Sequence, residues 1–385
     1  MPRILFINMG YYLSREIPSA LTKLQCPFLN FQPGRLPDGR DCELFLPRLL
    51  KAIAQYKPHM VLTVNGLGLD KDGVVAEFLN TAGIPLVVWF VDNPELFCLG
   101  CESSYPDKTI FFTCDPDGPA KVRRWVPCVT HVLPLAADTN TFKPVTTTHA
   151  RKVSFAGDTW TGKIAVCHKN HFFPRVLVRQ ALGVARALVD QQPGDGIGFI
   201  QTRFPDIYKQ ALTLPPNGQN GFWHLVYWQA NRLYRINCVE KILPFRPLIV
   251  GDRYWKRLLP EEHFEAHPPV AYGEEVFRLY GMSAINFACS SMQMAGAVTQ
   301  RVFDVPASGG FVLTDARRQL DDLFDRGKEV VCFDSTDEIG PLIQRYLEDE
   351  GKRRNIIKAA RMRIASEHTY VHRMQTLIQM VNASL

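Results

Sequence analysis

The segment from Ser290 to Asp315 gathers residues suited to holding a phosphorylated ligand. A polar, glycine-containing loop, Ser290 to Gly296, follows an apolar run at Ala284–Ala288. A short helix is expected next, carrying Gln300, Arg301 and Asp304, and Ser308-Gly309-Gly310 then leads into a further apolar run. A helix that begins after such a loop offers unpaired backbone N–H groups and the positive end of its dipole to a phosphate. Arg301 adds a permanently charged, forked donor to the same group. Asp304 shares a helical face with Gln300 and Arg301, being four and three residues on. A carboxylate there can accept hydrogen bonds from two ribose hydroxyls. The alternative is an internal Arg301–Asp304 ion pair on a solvated helix.

Two other places carry chemistry. Ser154 to Lys163 reads as strand, glycine turn at Gly157, then a lysine. In the N-terminal third, Asp92 ends the apolar run Ile84–Val91, Asn65 ends the run His59–Val64, and Gly10 follows the run Ile4–Asn8. Functional groups gather beyond the carboxyl ends of parallel strands, so Asp92 is a candidate general base or binding group for a hydroxyl. It can equally serve as the N-cap of a helix begun by Pro94. Gly10 permits close approach of a ligand to the backbone.

Other clusters weigh less. Cys98, Cys101, Cys114 and Cys128 lack the second close ligand pair of a zinc site. His368, Tyr370, His372 and Arg373 read as residues shaping a chain crossing. Trp223, Tyr227, Trp228 and Tyr234 have helical spacing and read as core.

The elements that must position these groups alternate. Apolar runs at residues 4–8, 59–64, 84–91, 109–113 and 130–135 are separated by helical patterns at 43–56 and 73–82. Strands apolar on both faces, alternating with helices, mean a parallel sheet covered on both sides. The pattern lapses near Asp138 to Ala150, where Phe142 to His149 reads as a linker, and restarts at Lys152–Asp158. Helices are expected at 173–191, 223–243, 337–349, 351–368 and from Tyr370. Strands are expected at 247–251, 284–288, 310–315 and 330–333. Residues 192–220 read as loop-rich, with Pro and Gly, and give no clear order. The chain therefore reads as two α/β domains, 1–148 and 149–368. A last helix, 369–385, is expected to pack on the first domain.

Composition sets outer limits. The 385 residues suit two domains, with 46% hydrophobic, 21% charged and a net charge of +6. The basic residues are scattered, so nucleic acid is not an expected partner. No apolar run reaches the length of a membrane span. Without a secretory signal, ten cysteines read as reduced thiols of a cytoplasmic protein. Peripheral membrane association stays open.

The Ser290–Asp315 segment, together with Gly327-Lys328-Glu329-Val330-Val331 and His368-Thr369-Tyr370-Val371-His372-Arg373, resembles the CgeB-like (spore maturation protein type) branch of group 1 glycosyltransferases. Trp89-Phe90-Val91-Asp92-Asn93-Pro94 and the stretch Leu133 to Pro144 resemble the same branch. The likeness spans most of the chain and is weakest from Lys163 to Asn237. It implies a GT-B fold, two Rossmann-like domains across a cleft. The nucleotide-sugar donor (UDP-, GDP- or dTDP-sugar) would lie on the second domain and the acceptor on the first. Relatives carry an E-x7-E pair at the donor site. Asp304 matches its second acid, near the ribose, but the first falls at Gly296, so Ser290 and the loop Gln293–Gly296 would contact the sugar instead. Gly157, Lys163, Arg301 and the backbone at Gly309 would hold the diphosphate, with neither metal nor cofactor required. The implied activity is hexosyl transfer to a hydroxyl of a protein, glycan or small molecule. A GT-B-type epimerase and a non-catalytic nucleotide-sugar-binding protein are the alternatives.

Overall fold

The computed structural model describes residues 1–32, 45–100, 104–139 and 150–384. The expected linker 142–149, the boundary at residue 148, Cys42 and Cys101 lie outside the described residues. The chain divides into two compact units: Met1–Leu135 with Tyr370–Leu385, and Ala136–Thr369.

The first unit is built on six parallel strands: β1 (Ile4–Ile7), β2 (Phe28–Phe31), β3 (Met60–Val64), β4 (Leu86–Phe90), β5 (Thr109–Thr113) and β6 (Val129–Val132). Their spatial order is β2-β1-β3-β4-β5-β6. β1, β3, β4 and β5 are buried along their whole length, which is why they read as unbroken apolar runs rather than alternating ones. Leu49 and Ile53 of the helix Phe45–Tyr56 and Val75 and Leu79 of the helix Val74–Ala82 share the core formed on this sheet. Chain order reverses between β1 and β3, so the crevice for a ligand lies beyond Ile7 and Val64.

The C-terminal helix Tyr370–Ser384 belongs to this unit and packs against the helix Glu16–Lys23. Tyr370 meets Trp89 edge-on at 6.3 Å. Arg373 is buried and donates from Nε to Pro134 O at 2.8 Å and from Nη2 to Leu135 O at 3.0 Å. Burial lowers its pKa to about 10. Arg373 thus ties the returning helix to the segment where the chain leaves the unit.

The second unit has β7 (Arg151–Ala156), β8 (Leu248–Val250), β9 (Glu265–His267), β10 (Ser283–Phe287), β11 (Val312–Asp315) and β12 (Val331–Phe333). All are parallel, in the order β12-β11-β10-β7-β8-β9. Counted from β7, this is the doubly wound order 3-2-1-4-5-6 in reverse view. The switch point falls between β7 and β10, where Phe155 is opposite Phe287. Whatever follows those two strands faces the ligand crevice. Gly157 follows one and Ser290 the other.

Beside that crevice the backbones at Gly157 and Gly251 are in close contact. Gly157 N donates to Val250 O at 2.8 Å, and Trp255 Nε1 donates to Gly157 O at 2.8 Å. A Cβ on Gly251 would lie 2.3 Å from Gly157 O and 2.9 Å from Trp255 Nε1. The first obstacle is backbone and cannot rotate away. Gly251→Ala is therefore expected to destabilise the protein by about 1–3 kcal/mol, the usual cost of overpacking, as read by urea denaturation.

Candidate functional site

In the second unit the glycine turn after β7 is braced by Asp252, whose carboxylate accepts from Thr159 N at 2.9 Å and from Thr159 Oγ1 at 2.9 and 3.0 Å. Trp160 follows with φ of 67°, a rare conformation for a bulky residue. Its ring stacks on Trp228 at 6.4 Å, and its indole N–H is buried with no partner among the described residues. Lys163 Nζ lies 4.3 Å from the centre of the Trp160 ring, and the Arg235 guanidinium lies 5.6 Å from it. Arg235 Nη1 donates to Asp158 O at 2.6 Å and would lie 3.2 Å from a Cβ on Gly157.

Arg235 belongs to the long helix Pro216–Glu240 and is 9% exposed. Its Nε is buried without a partner, as is Nε of Arg301. The two guanidiniums are within electrostatic reach of each other. Arg235 is shifted below the ordinary arginine value first by burial and then, in part, by Arg301. Both cations also act on Cys289, just beyond β10. Its thiol lies below the usual value through a hydrogen bond from Cys238 and these charges, against burial. Buried charge with unpaired donors is costly unless an anion compensates it, so Arg235 and Arg301 are candidates to hold one.

Arg301 opens the helix Arg301–Ala307. Among the described residues no ion pair joins it to Asp304. Asp304 is 1% exposed. Its Oδ1 accepts from Gln300 Nε2 at 2.7 Å and its Oδ2 from the Tyr272 hydroxyl at 2.9 Å. Gln300 also donates to Ala136 O at 2.7 Å, so its amide orients the acid. Tyr280, beside both Arg301 and Asp304, is pushed up to about 12 by burial, with Arg301 opposing and Asp304 reinforcing.

The loop after β10 is locked from behind. Asp315, at the end of β11, accepts from Ser290 N at 3.0 Å and Ser290 Oγ at 2.9 Å, from Tyr234 Oη at 3.0 Å and from Arg317 Nε at 2.9 Å. Asn231 Oδ1 accepts from Met292 N at 2.6 Å and Ser291 Oγ at 3.0 Å. Gln319 N donates to Gly296 O at 3.1 Å, and Gln293 is buried. Gly309 is not part of this arrangement. Its φ is 85° and its N–H donates to Pro306 O, so it closes the helix Arg301–Ala307. It precedes β11 and so lies toward the end of the sheet opposite Gly157 and Ser290.

In the first unit, Asn65 and Asp92 meet beyond β3 and β4. Asn65 Nδ2 donates to Asp92 Oδ2 at 2.9 Å, and Asn65 Oδ1 accepts from Val91 N at 2.9 Å. Tyr11, next to Gly10, donates its hydroxyl to the same Asp92 oxygen at 2.9 Å. Burial, then the Asp92 charge, pushes the Tyr11 pKa up. Asn65 takes φ of 54° and Gly10 φ of 68°. Among the described residues no group of three His, Cys, Asp or Glu is assembled that would hold a metal ion, and no helix is long and apolar enough to cross a membrane.

Sequence reading missed Arg235, Trp160, Tyr272 and the brace formed by Asp315, Arg317 and Asn231. A signal for two of them exists. Tyr227, Asn231, Tyr234, Arg235 and Cys238 follow helical spacing along one buried stripe, and polar residues on such a stripe need a reason.

Two parallel six-stranded sheets, each wound with helices, define the GT-B fold, and solved structures agree. The sucrose-phosphate synthase of Thermosynechococcus elongatus matches with a TM-score of 0.61 at 13% identity, all of both chains being covered. Anabaena HepE, in complex with UDP-glucose, gives 0.56 at 12% identity, again over all of both chains. T4 phage BGT, in complex with its UDP-glucose substrate, gives 0.55 at 8% identity over 98% of this chain and 99% of that one. Residues 234–379 match the family model described as glycosyl transferase-like. That stretch contains Arg235, Arg301, Asp304 and Asp315. No curated protein matches the chain in sequence.

Proposed function

We propose that the protein is a CgeB-like group 1 glycosyltransferase that moves a hexosyl unit from a UDP-, GDP- or dTDP-sugar to an acceptor hydroxyl. The observation that carries this reading is the pair Arg235 and Arg301, with buried unpartnered Nε donors beside the switch point of the second unit. A nucleoside diphosphate supplies the anion such a pair requires. Its charge grows as the glycosidic bond breaks, so cations fixed there act on the transition state. Arg235, Arg301 and Lys163 supply that charge, so transfer needs no metal. The Gly157 turn lets the phosphates approach the backbone, and Ser290, Gln293 and Gly296 line the sugar end. Asp304 takes the ribose. A ribose hydroxyl replaces the hydroxyl of Tyr272, a residue 46% exposed. In the first unit, Asp92, aimed by Asn65 and Tyr11, receives the proton of the acceptor hydroxyl. The acceptor is a protein, glycan or small molecule.

A thermal-shift screen with nucleotides and nucleotide sugars tests this. A ligand at 100 times its dissociation constant stabilises by about 2.7 kcal/mol. A rise in Tm is expected with one family of nucleoside diphosphates, and it should be lost in Arg301→Ala and Asp304→Ala. Unchanged melting with every nucleotide would remove the basis of the reading.

A further inference from the structure

We infer that the helix pair Thr161–Asn170 and Arg175–Gln191, with the turn between them, is a docking surface for an anionic lipid bilayer. Thirteen large hydrophobic residues are exposed among the described residues, seven of them in the second unit. Three of those seven, Val166 (55%), Phe172 (94%) and Val176 (54%), fall within eleven residues, and Phe172 is the most exposed of all thirteen. Its exposure is enforced by what flanks it. His171 stacks on Phe173 at 5.7 Å, and Phe173 is buried edge-on against Phe222 at 6.1 Å. Cys167 Sγ donates to Gly221 O at 3.3 Å, pinning the preceding helix to the same long helix. With both neighbours held inward, Phe172 stands out as a fixed wedge.

The charge along this stretch of chain has one sign. Between Asp158 and Asp190 the chain has no acidic residue. Lys169, Arg175 and Arg179 are exposed, and Arg175 and Arg179 share one helix face beside Val176. Apolar side chains projecting from a cationic face insert into the headgroup boundary of anionic membranes while the cations meet the lipid phosphates. A second copy of this chain does not fit. Three side chains fall far short of the roughly 800 Å² per partner of a stable interface, and two such cationic faces would repel.

The test is co-sedimentation of the full chain with vesicles of phosphatidylcholine alone, or with roughly one-third phosphatidylglycerol. Binding is expected only to the anionic vesicles, with release at about 0.5 M salt. Each basic residue contributes about 1 kcal/mol at an anionic surface, so Arg175→Gln with Arg179→Gln should lower partitioning about 30-fold. Phe172→Ser, at a position with no packing to lose, should lower it at least about tenfold. Nucleotide-dependent Tm should be unchanged in these variants, which separates this surface from the donor site. Equal binding to neutral vesicles, no vesicle binding, variants that bind like the parent, or displacement of vesicles by a short oligonucleotide would each overturn the inference.

Discussion

Replacing Arg235 by methionine is expected to move two observables in opposite directions. Nucleoside diphosphate binding should weaken by about 1.5–3 kcal/mol, roughly 10- to 150-fold, as for loss of a charged hydrogen bond. The Tm of the ligand-free protein should hold or rise. Arg235 is buried, its Nε has no partner among the described residues, and Arg301 repels it. An apolar side chain of similar length removes a buried charge that has no ion-pair partner among the described residues, which is often neutral or stabilising. Residues placed for function rather than stability give this pattern. Calorimetric titration beside a melting curve reads both. Weakened binding with an equally large loss of stability would assign Arg235 a structural role.

Asp315→Asn is expected to be the most destabilising of the site substitutions, at about 3–5 kcal/mol. Asp315 and Arg317 are 3% and 4% exposed, and removing the carboxylate leaves the guanidinium buried without its counter-charge. Burial raises the Asp315 pKa, but the Arg317 charge and the Ser290 hydrogen bonds outweigh it, so the net shift is downward. A carboxyl held below its unfolded value contributes stability that is complete above about pH 4. That stability is lost as pH falls through the folded value. The gap between parent and variant should therefore be full at pH 7 and shrink below about pH 4. Urea denaturation across that range measures it. A gap independent of pH would mean that packing, not charge, is what the substitution removes.

Both substitutions concern residues that sequence reading passed over, and the reasons are physical. The fully buried strands β3, β4 and β5 stood out because their apolar runs are unbroken. β2 and β9 did not. β9, Glu265–His267, is three exposed residues, two of them polar, at a sheet edge, with no hydrophobic pattern to mark it. Residues 192–220 hold two short helices, Gly196–Arg203 and Pro205–Leu212. The first is capped by the Asp195 side chain on Gly198 N. Pro and Gly in that stretch suggested loop, while Pro205 in fact starts a helix, a position that needs no N–H.

The site divides the same way. Arg301 and Asp304 were legible because they follow a loop at a strand end, and Asn65 and Asp92 because each ends an apolar run. Arg235 lies near the end of a helix, more than fifty residues from Ser290, and only the folding of Pro216–Glu240 onto the loop after β10 makes it part of the site. Gly309 misled because a glycine that ends a helix and one that cradles a phosphate look alike in sequence. Its φ of 85° and its bond to Pro306 O distinguish them.

The most direct check is a crystal structure with the nucleoside diphosphate that raises the Tm. Its phosphate oxygens should lie about 2.7–3.1 Å from the guanidinium nitrogens of both Arg235 and Arg301, with a ribose hydroxyl on Asp304 where Tyr272 now donates. Phosphates bound elsewhere, with the two arginines still lacking an anion, would contradict the account.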